Sequence, residues 1–193
     1  LKEKQAVYFI PDTTDLTTII LKRKYPIRNN LTFFGSACGV KIEGANRIDF
    51  KDAKLLYEVT DTPRVNYNII YPMLQEKFRY IRYSAPENKQ IQLGEWYMLN
   101  DKGQRISREP WTVAYADDED ISSGNKTADK IFDLQESTYW STNKDVKFPH
   151  YIVLDLGAEQ TLGGFQYLPR VEQGAPESIK GYKIYVKSQP FKF

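Results

Sequence analysis

The decisive part of this chain begins at residue 130, with the run Lys130-Ile-Phe-Asp133-Leu-Gln-Glu-Ser-Thr138-Tyr-Trp140. Two further runs follow, Pro149-His-Tyr-Ile-Val-Leu-Asp155-Leu-Gly157 and Gly164-Phe-Gln-Tyr-Leu-Pro-Arg170. Short apolar runs between polar loops are typical of β-strands. One loop holds a carboxylate shortly before a hydroxyl, and another presents an arginine directly after a proline. This layout indicates a rigid β-scaffold with a shallow binding site.

The rest of the chain shows the same period-two pattern, which predicts an all-β sandwich or jelly roll. Residues of the turn-forming types, mainly Gly, Pro, Asn and Asp, separate the predicted strands. Only Tyr71–Phe78 and Thr127–Phe132 have the pattern of a short helical turn. The predicted strands are Ala6–Ile10, Thr17–Leu21, Lys54–Val59, Phe78–Tyr83, Ile91–Leu99, Tyr151–Leu156, Gly163–Leu168 and Tyr182–Val186.

Two small sandwich units are predicted, residues 1–108 and residues 109–193. The sequence Ser-Arg-Glu-Pro110 interrupts two strand-rich regions near this boundary, and the acidic run 117–120 opens the second segment. We interpret that run as a solvated loop and not as a metal cluster. An alternative stays open, in which the early strands of one segment complete the late strands of the other.

Composition excludes several classes of protein. The 193 residues include 27 basic and 25 acidic side chains, a net charge of +2 without a concentrated basic face, which argues against a nucleic-acid binder. Cys38 is the only cysteine, so an intramolecular disulfide and a multi-thiolate metal site are both excluded. No apolar run approaches the roughly 18 residues of a membrane span. Because the chain begins at Leu1 without a visible signal peptide, we expect a fragment of a longer protein.

The motifs of the second segment resemble the factor V/VIII type C, or discoidin-like, domains. They look closest to bacterial family 32 carbohydrate-binding modules, which have a galactose-binding-like fold. The resemblance rests on Asp133, Thr138 and Trp140 in the loop, on Asp155-Leu-Gly157 and Tyr167-Leu-Pro-Arg170, and on the strand Ile179–Val186. Residues 35–99 resemble the closing half of a similar domain, as in secreted proteins of Bacteroidetes, including Bacteroides. In that half, Glu95 matches the family's closing glutamate, which points toward a cation or pairs with an arginine such as Arg82.

The resemblance implies a sugar site around Arg170. In sugar-binding members the arginine of this turn donates paired hydrogen bonds to sugar hydroxyls, a task that suits a planar guanidinium. Where the family places an asparagine and a histidine, this chain has Glu177 and Ser141. The other predicted ligand residues are Asn143, Trp140 and Tyr139. Two alternatives stay open: Arg170 pairs with Glu172 or Asp155 as a structural residue, and Trp140 packs in the core.

The resemblance also implies a structural Ca²⁺ in the loop that holds Asp133 and Thr138. The predicted ligands are these two side chains with the carbonyl groups of Lys130 and Gln135, an all-oxygen set that a hard cation prefers. Leu134 stands where the family usually has glycine. In the alternative interpretation, Asp133 and Thr138 only cap backbone groups of a tight loop.

A non-catalytic carbohydrate-binding module is therefore the leading functional hypothesis. One histidine, one cysteine and the absence of hydrolase or phosphate-loop motifs argue against an enzyme. The resemblance implies glycans as partners, a neighbouring catalytic domain and a secreted, periplasmic or cell-surface location. The alternative is a structural or protein-binding sandwich whose sugar site has degenerated.

Overall fold

The computed structural model describes residues 31–72, 76–143 and 149–171. Among these residues, nine β-strands account for most of the regular structure, accompanied by one short α-helix, α1 (Leu31–Phe34), and two 3₁₀ turns (Gly35–Ala37 and Ala128–Phe132). None of the helices in this part of the chain is long and apolar enough to cross a membrane. The strands are β1 (Lys41–Ala45), β2 (Lys54–Glu58), β3 (Asn68–Ile70), β4 (Lys77–Ser84), β5 (Gln92–Leu99), β6 (Thr112–Ala116), β7 (Trp140–Ser141), β8 (Tyr151–Thr161) and β9 (Gly164–Pro169).

The strands form two antiparallel sheets. The five-stranded sheet has the order β2-β1-β4-β8-β6, and the four-stranded sheet has the order β3-β9-β5-β7. Each sheet turns one face toward a shared core, as the period-two pattern requires. The prediction of an all-β sandwich is confirmed.

The core lies between the two sheets. Ile81 and Leu154 of the larger sheet and Trp96 and Phe165 of the smaller one are at most 1% exposed. Tyr83 and Trp96 meet edge to face across the interface, with ring centroids 5.5 Å apart. Such aromatic pairs stabilise a sandwich beyond the area that they bury.

Strands from both predicted segments share these sheets. β8 pairs with β4 on one side and with β6 on the other, and β9 pairs with β5. The arrangement in which the strands of one segment complete those of the other thus describes this part of the chain. The division at residue 108 stays a prediction for the whole chain, because residues 1–30 and 172–193 lie outside the described ranges. The predicted strands Ala6–Ile10, Thr17–Leu21 and Tyr182–Val186 fall there as well.

Candidate functional site

Arg170 lies where β9 ends, at one end of the four-stranded sheet. Its backbone N–H donates to the Gln92 carbonyl over 3.0 Å, which fixes the backbone of Arg170 at the end of the adjacent strands β9 and β5. Its guanidinium carbon is 4.1 Å from the centre of the Phe33 ring and 4.5 Å from that of Tyr139. The arginine is therefore held between two aromatic rings, which orients the plane of its hydrogen-bond donors.

Trp140 and Ser141 lie behind Tyr139 on β7, which pairs with β5. Trp140 is 0% exposed, and its indole Nε1 donates to the Asp118 carbonyl over 3.0 Å. This is the core position that the sequence left open as the alternative to sugar stacking. The Ser141 hydroxyl is also buried, between the Gln90 Nε2 donor and the Thr142 carbonyl, each at 3.2 Å. Of Tyr139, Trp140 and Ser141, only Tyr139 lies at the rim of the site, which is the partly exposed surface around the Arg170 guanidinium.

Asn143 is exposed, but the acidic loop before it uses its donors. Its backbone N–H donates to Asp118 Oδ2 over 2.7 Å, and its side-chain amide donates to Asp118 Oδ1 over 2.8 Å. Glu177 and Glu172 lie outside the described residues. The structure thus brings Arg170 and Tyr139 together, and it places Trp140 and Ser141 below the surface.

The acidic run 117–120 has a structural role that the sequence did not reveal. Its carboxylates each find a nearby partner: Asp117 contacts His150 Nδ1 at 2.7 Å, and Glu119 accepts from the Ala128 N–H at 2.7 Å. Asp120 accepts from the Lys126 ammonium at 2.6 Å, and this hydrogen bond, together with those from Ser122, lowers the pKa of Asp120 to about 2. The run therefore fixes the loops that flank β7 and is not simply a solvated segment. The Ser, Asn and Lys residues that follow the run at 122–126 were the available signal.

The predicted metal loop is compact. The Thr138 hydroxyl oxygen is 2.9 Å from both carboxylate oxygens of Asp133 and from the Gln135 carbonyl oxygen. The Gln135 N–H donates to Asp133 Oδ1 over 2.9 Å, as the capping alternative expects. The Lys130 ammonium is 3.9 Å from Asp133 Oδ2. Leu134 has a φ of +67°, so the position that the family fills with glycine keeps its left-handed backbone here.

Glu95 approaches this loop from β5. It is 0% exposed, and the charge of Asp133 contributes to raising its pKa, although burial is the larger cause. The alternative in which Glu95 is one half of a buried pair with an arginine agrees with the structure, but the partner is not Arg82, which donates to Glu43 over 2.7 Å on the other sheet. Glu95 pairs instead with Arg108 at 2.5 Å, and the Arg108 guanidinium also lies 4.0 Å from the Tyr97 ring centre. This pair partly offsets the effect of burial on the pKa of Glu95.

The pairing of Arg170 with Asp155 is also wrong. Both Asp155 oxygens accept from Arg79, each at 3.0 Å, on the outer face of the five-stranded sheet. The hydrogen bond from Arg79 is the main reason that the pKa of Asp155 is lowered.

The loop offers the types of oxygen atom that a hard cation prefers. A carboxylate, a hydroxyl and a carbonyl already converge, and Glu95 Oε1 is buried without a hydrogen-bond partner within the described part of the chain. No cluster of three or more His, Cys, Asp or Glu side chains occurs in the described ranges, so a cation would depend on carbonyl and hydroxyl oxygens as well.

Comparison with known proteins agrees with this fold. Residues 114–192 match the family model of the F5/8 type C domain, so the resemblance predicted for the second segment is confirmed. A sialidase from Micromonospora viridifaciens is 35% identical over 78 residues. The match covers 38% of this chain and 12% of the sialidase, so the chain spans about an eighth of the length of that relative. The weaker resemblance of residues 35–99 stays a prediction.

Proposed function

We propose that this chain is a non-catalytic carbohydrate-binding module that binds terminal galactose- or N-acetylgalactosamine-type sugars through Arg170. The observation that carries the proposal is the guanidinium held between Phe33 and Tyr139, within a segment that matches the F5/8 type C domain. Domains of this kind typically bind ligands without catalysis.

The geometry supports recognition of vicinal hydroxyls. A guanidinium offers a flat fork of N–H donors, and the two flanking rings hold that fork in one orientation, so that little side-chain entropy is lost on binding. Tyr139 is only partly buried and lies at the same rim, where its ring can cover the apolar face of a sugar. A shallow rim with one arginine and one aromatic ring predicts weak affinity.

The wider context follows from the same proposal. The similar protein is a sialidase of which this chain covers 12%, which supports a parent protein that acts on glycans and carries a separate catalytic domain. A secreted, periplasmic or cell-surface location fits such a parent protein.

A glycan array with and without Ca²⁺ tests the proposal. We expect the chain to bind galactose-type termini, Arg170→Ala to abolish binding, and Arg170→Lys to weaken it, because an ammonium keeps the charge but loses the planar fork. Arg105→Ala is a matched control, because Arg105 also stacks on an aromatic ring, that of Tyr97 at 3.7 Å, on the same sheet. Silence across the array would contradict the proposal.

The alternative is a structural or protein-binding sandwich. It is favoured by the burial of Trp140 and Ser141 and by the use of the Asn143 amide within the protein. In this case Arg170→Ala would lower the melting temperature as its main effect, and no glycan would bind to the unchanged chain.

A structural Ca²⁺ at Asp133 is a second part of the proposal. Asp133, Thr138 and the carbonyls of Gln135 and Lys130 would hold the ion, and the ion would stiffen the loop before β7. We expect CaCl₂ to raise the melting temperature and EDTA to reverse the effect, whereas Asp133→Asn removes the response. An equal response in Asp133→Asn would place the cation elsewhere.

A further inference from the structure

Four side chains form a row across the outer face of the five-stranded sheet. The strand register makes Glu43, Arg82, Val153 and Tyr115 successive partners on β1, β4, β8 and β6. Neighbouring partners on one face lie about 5 Å apart, so the row is set by the backbone. This face is distinct from the end of the smaller sheet where Arg170 lies.

Aromatic rings extend this row into a continuous stack. The guanidinium carbon of Arg82 is 4.4 Å from the Phe50 ring centre and 5.8 Å from that of Tyr151. Tyr151 in turn stacks on Tyr115, with centroids 5.3 Å apart and ring planes 28° from parallel. Tyr115 ends the stack on the edge strand β6 and is 50% exposed, so part of its ring is accessible to solvent.

Phe50 occupies its place in this stack in an unusual backbone conformation. Its φ is +54°, in the left-handed region that a phenylalanine rarely adopts. The preceding turn is fixed by Arg47, which donates to both Asp49 oxygens at 2.9 and 2.8 Å. Backbone outliers of this kind concentrate where a side chain is needed in a set position. Here the turn places the ring over Arg82.

Arg82 and Glu43 of this row can form further hydrogen bonds in addition to the one that joins them. Arg82 Nε donates to Glu43 Oε2 over 2.7 Å, and this is the only hydrogen bond of the guanidinium within the described part of the chain. Both terminal amino groups of Arg82 are therefore available as donors, and Glu43 keeps acceptor capacity. A cavity of about 330 Å³ lies here, lined by Ile48, Phe50, Arg82, Tyr115 and Tyr151 among others.

The local charges select the class of ligand. Arg82 is neutralised by Glu43, and Asp49 is neutralised by Arg47, so the cavity has no unbalanced charge to attract an anion or a cation. A half-exposed aromatic ring beside one donor fork and one acceptor suits a neutral polyhydroxylated ring.

We propose that this outer-face cluster of Glu43, Phe50, Arg82, Tyr115 and Tyr151 is a second carbohydrate site, which binds a pyranose of a neutral glycan chain. Tyr115 covers the C–H face of the sugar, Arg82 donates to its hydroxyls, and Glu43 accepts from them. The site goes beyond the terminal-sugar function proposed above and does not require Arg170.

Calorimetric titration of neutral tetrasaccharides into the Arg170→Ala chain tests this site alone. The panel is β-1,4-galactotetraose, cellotetraose, xylotetraose and mannotetraose. We expect at least one to bind, Tyr115→Ala to weaken it about tenfold or more, and Tyr115→Phe to retain it, because the ring supplies the platform. Tyr71→Ala is a matched control that removes another exposed tyrosine, 58% exposed.

Three results would overturn the proposal. These are silence of the whole panel with the folded Arg170→Ala chain, unchanged affinity in Tyr115→Ala, and tighter binding of tetragalacturonate, titrated as a charged comparison, than of any neutral tetraose. The outcome is separate from that of the terminal-sugar site. If the outer-face site exists and the Arg170 site does not, the unchanged chain binds a tetraose. Tyr115→Ala then removes this binding, whereas Arg170→Ala does not.

Discussion

Removing Arg108 tests the buried ion pair in the smaller sheet. Arg108 is only 9% exposed and Glu95 is 0% exposed, so Arg108→Leu leaves a carboxylate inside the protein without its cation. Breaking such a pair costs about 3–5 kcal/mol, and the lost contact with the Tyr97 ring at 4.0 Å adds about 0.5–1 kcal/mol. We therefore expect the free energy of unfolding to fall by at least about 3 kcal/mol at pH 7.

The size of this loss should depend on pH. Burial already raises the pKa of Glu95 above its ordinary value, and Arg108 opposes that shift, so the substitution raises the pKa further. A raised pKa means that the folded state holds a proton that the unfolded state has lost, and stability then decreases as pH rises through the folded-state pKa. For one proton the slope reaches about 1.4 kcal/mol per pH unit. The loss in Arg108→Leu should thus be up to about 2.7 kcal/mol smaller at pH 5 than at pH 7.

Urea unfolding followed by tryptophan fluorescence at pH 5, 6 and 7 measures this loss. The double variant Glu95→Leu with Arg108→Leu is the matched control, because it removes both charges and should lack the added pH dependence that Arg108→Leu gains from an unpaired buried carboxylate. An equal loss for Arg108→Leu at pH 5 and pH 7, or no loss at either pH, would refute the reasoning.

Three further predictions concern single positions. Leu134→Gly should raise the free energy of unfolding by about 0.5–1 kcal/mol, since it relieves the left-handed backbone at a residue that is 74% exposed; Leu134→Ala keeps the Cβ atom and should give no gain in the same denaturation assay. Gly44→Ala should lower the free energy of unfolding by about 1–3 kcal/mol, and with it the melting temperature, because the new Cβ would lie 2.7 Å from the Phe78 ring. An unchanged melting temperature would show that the ring moves freely. An NMR titration should find the pKa of Asp120 at about 2, and Lys126→Met should return it toward its usual 3.8; the stability due to this carboxylate is present above pH 3.8 and is lost as pH falls toward 2.

The sequence predicted the central strands well and the short ones poorly. The predicted strand Ile91–Leu99 agrees with β5 within one residue, and Tyr151–Leu156 matches the first half of β8, which continues to Thr161. β7 has only two residues, and β1 contains Gly44 beside a turn signal, so neither has enough period-two pattern to be found.

Contacts between distant parts of the chain could not be predicted from local pattern. The motif Tyr167-Leu-Pro-Arg170 correctly predicted that Arg170 follows a strand. Its contacts with Phe33 and Tyr139 could not be predicted, because they depend on how three separate segments fold together. The same holds for Glu95, whose partner Arg108 follows a loop after β5. The outer-face row of Arg82 and Tyr115 required the register of four strands, which no local signal contains.

The interior positions of β8 and β9 have a consequence for how the chain folds. β8 separates β4 from β6, and β9 separates β3 from β5, so neither sheet can close until residues 151–169 are in place. Such pairing over long sequence separations makes folding slow, because loop closure must precede the stabilising contacts. On the ribosome, β4 and β5 emerge well before β8 and β9, and meanwhile each exposes the strand edge that those later strands will cover. The nascent chain is thus most prone to aggregation just before its last described strands are synthesised.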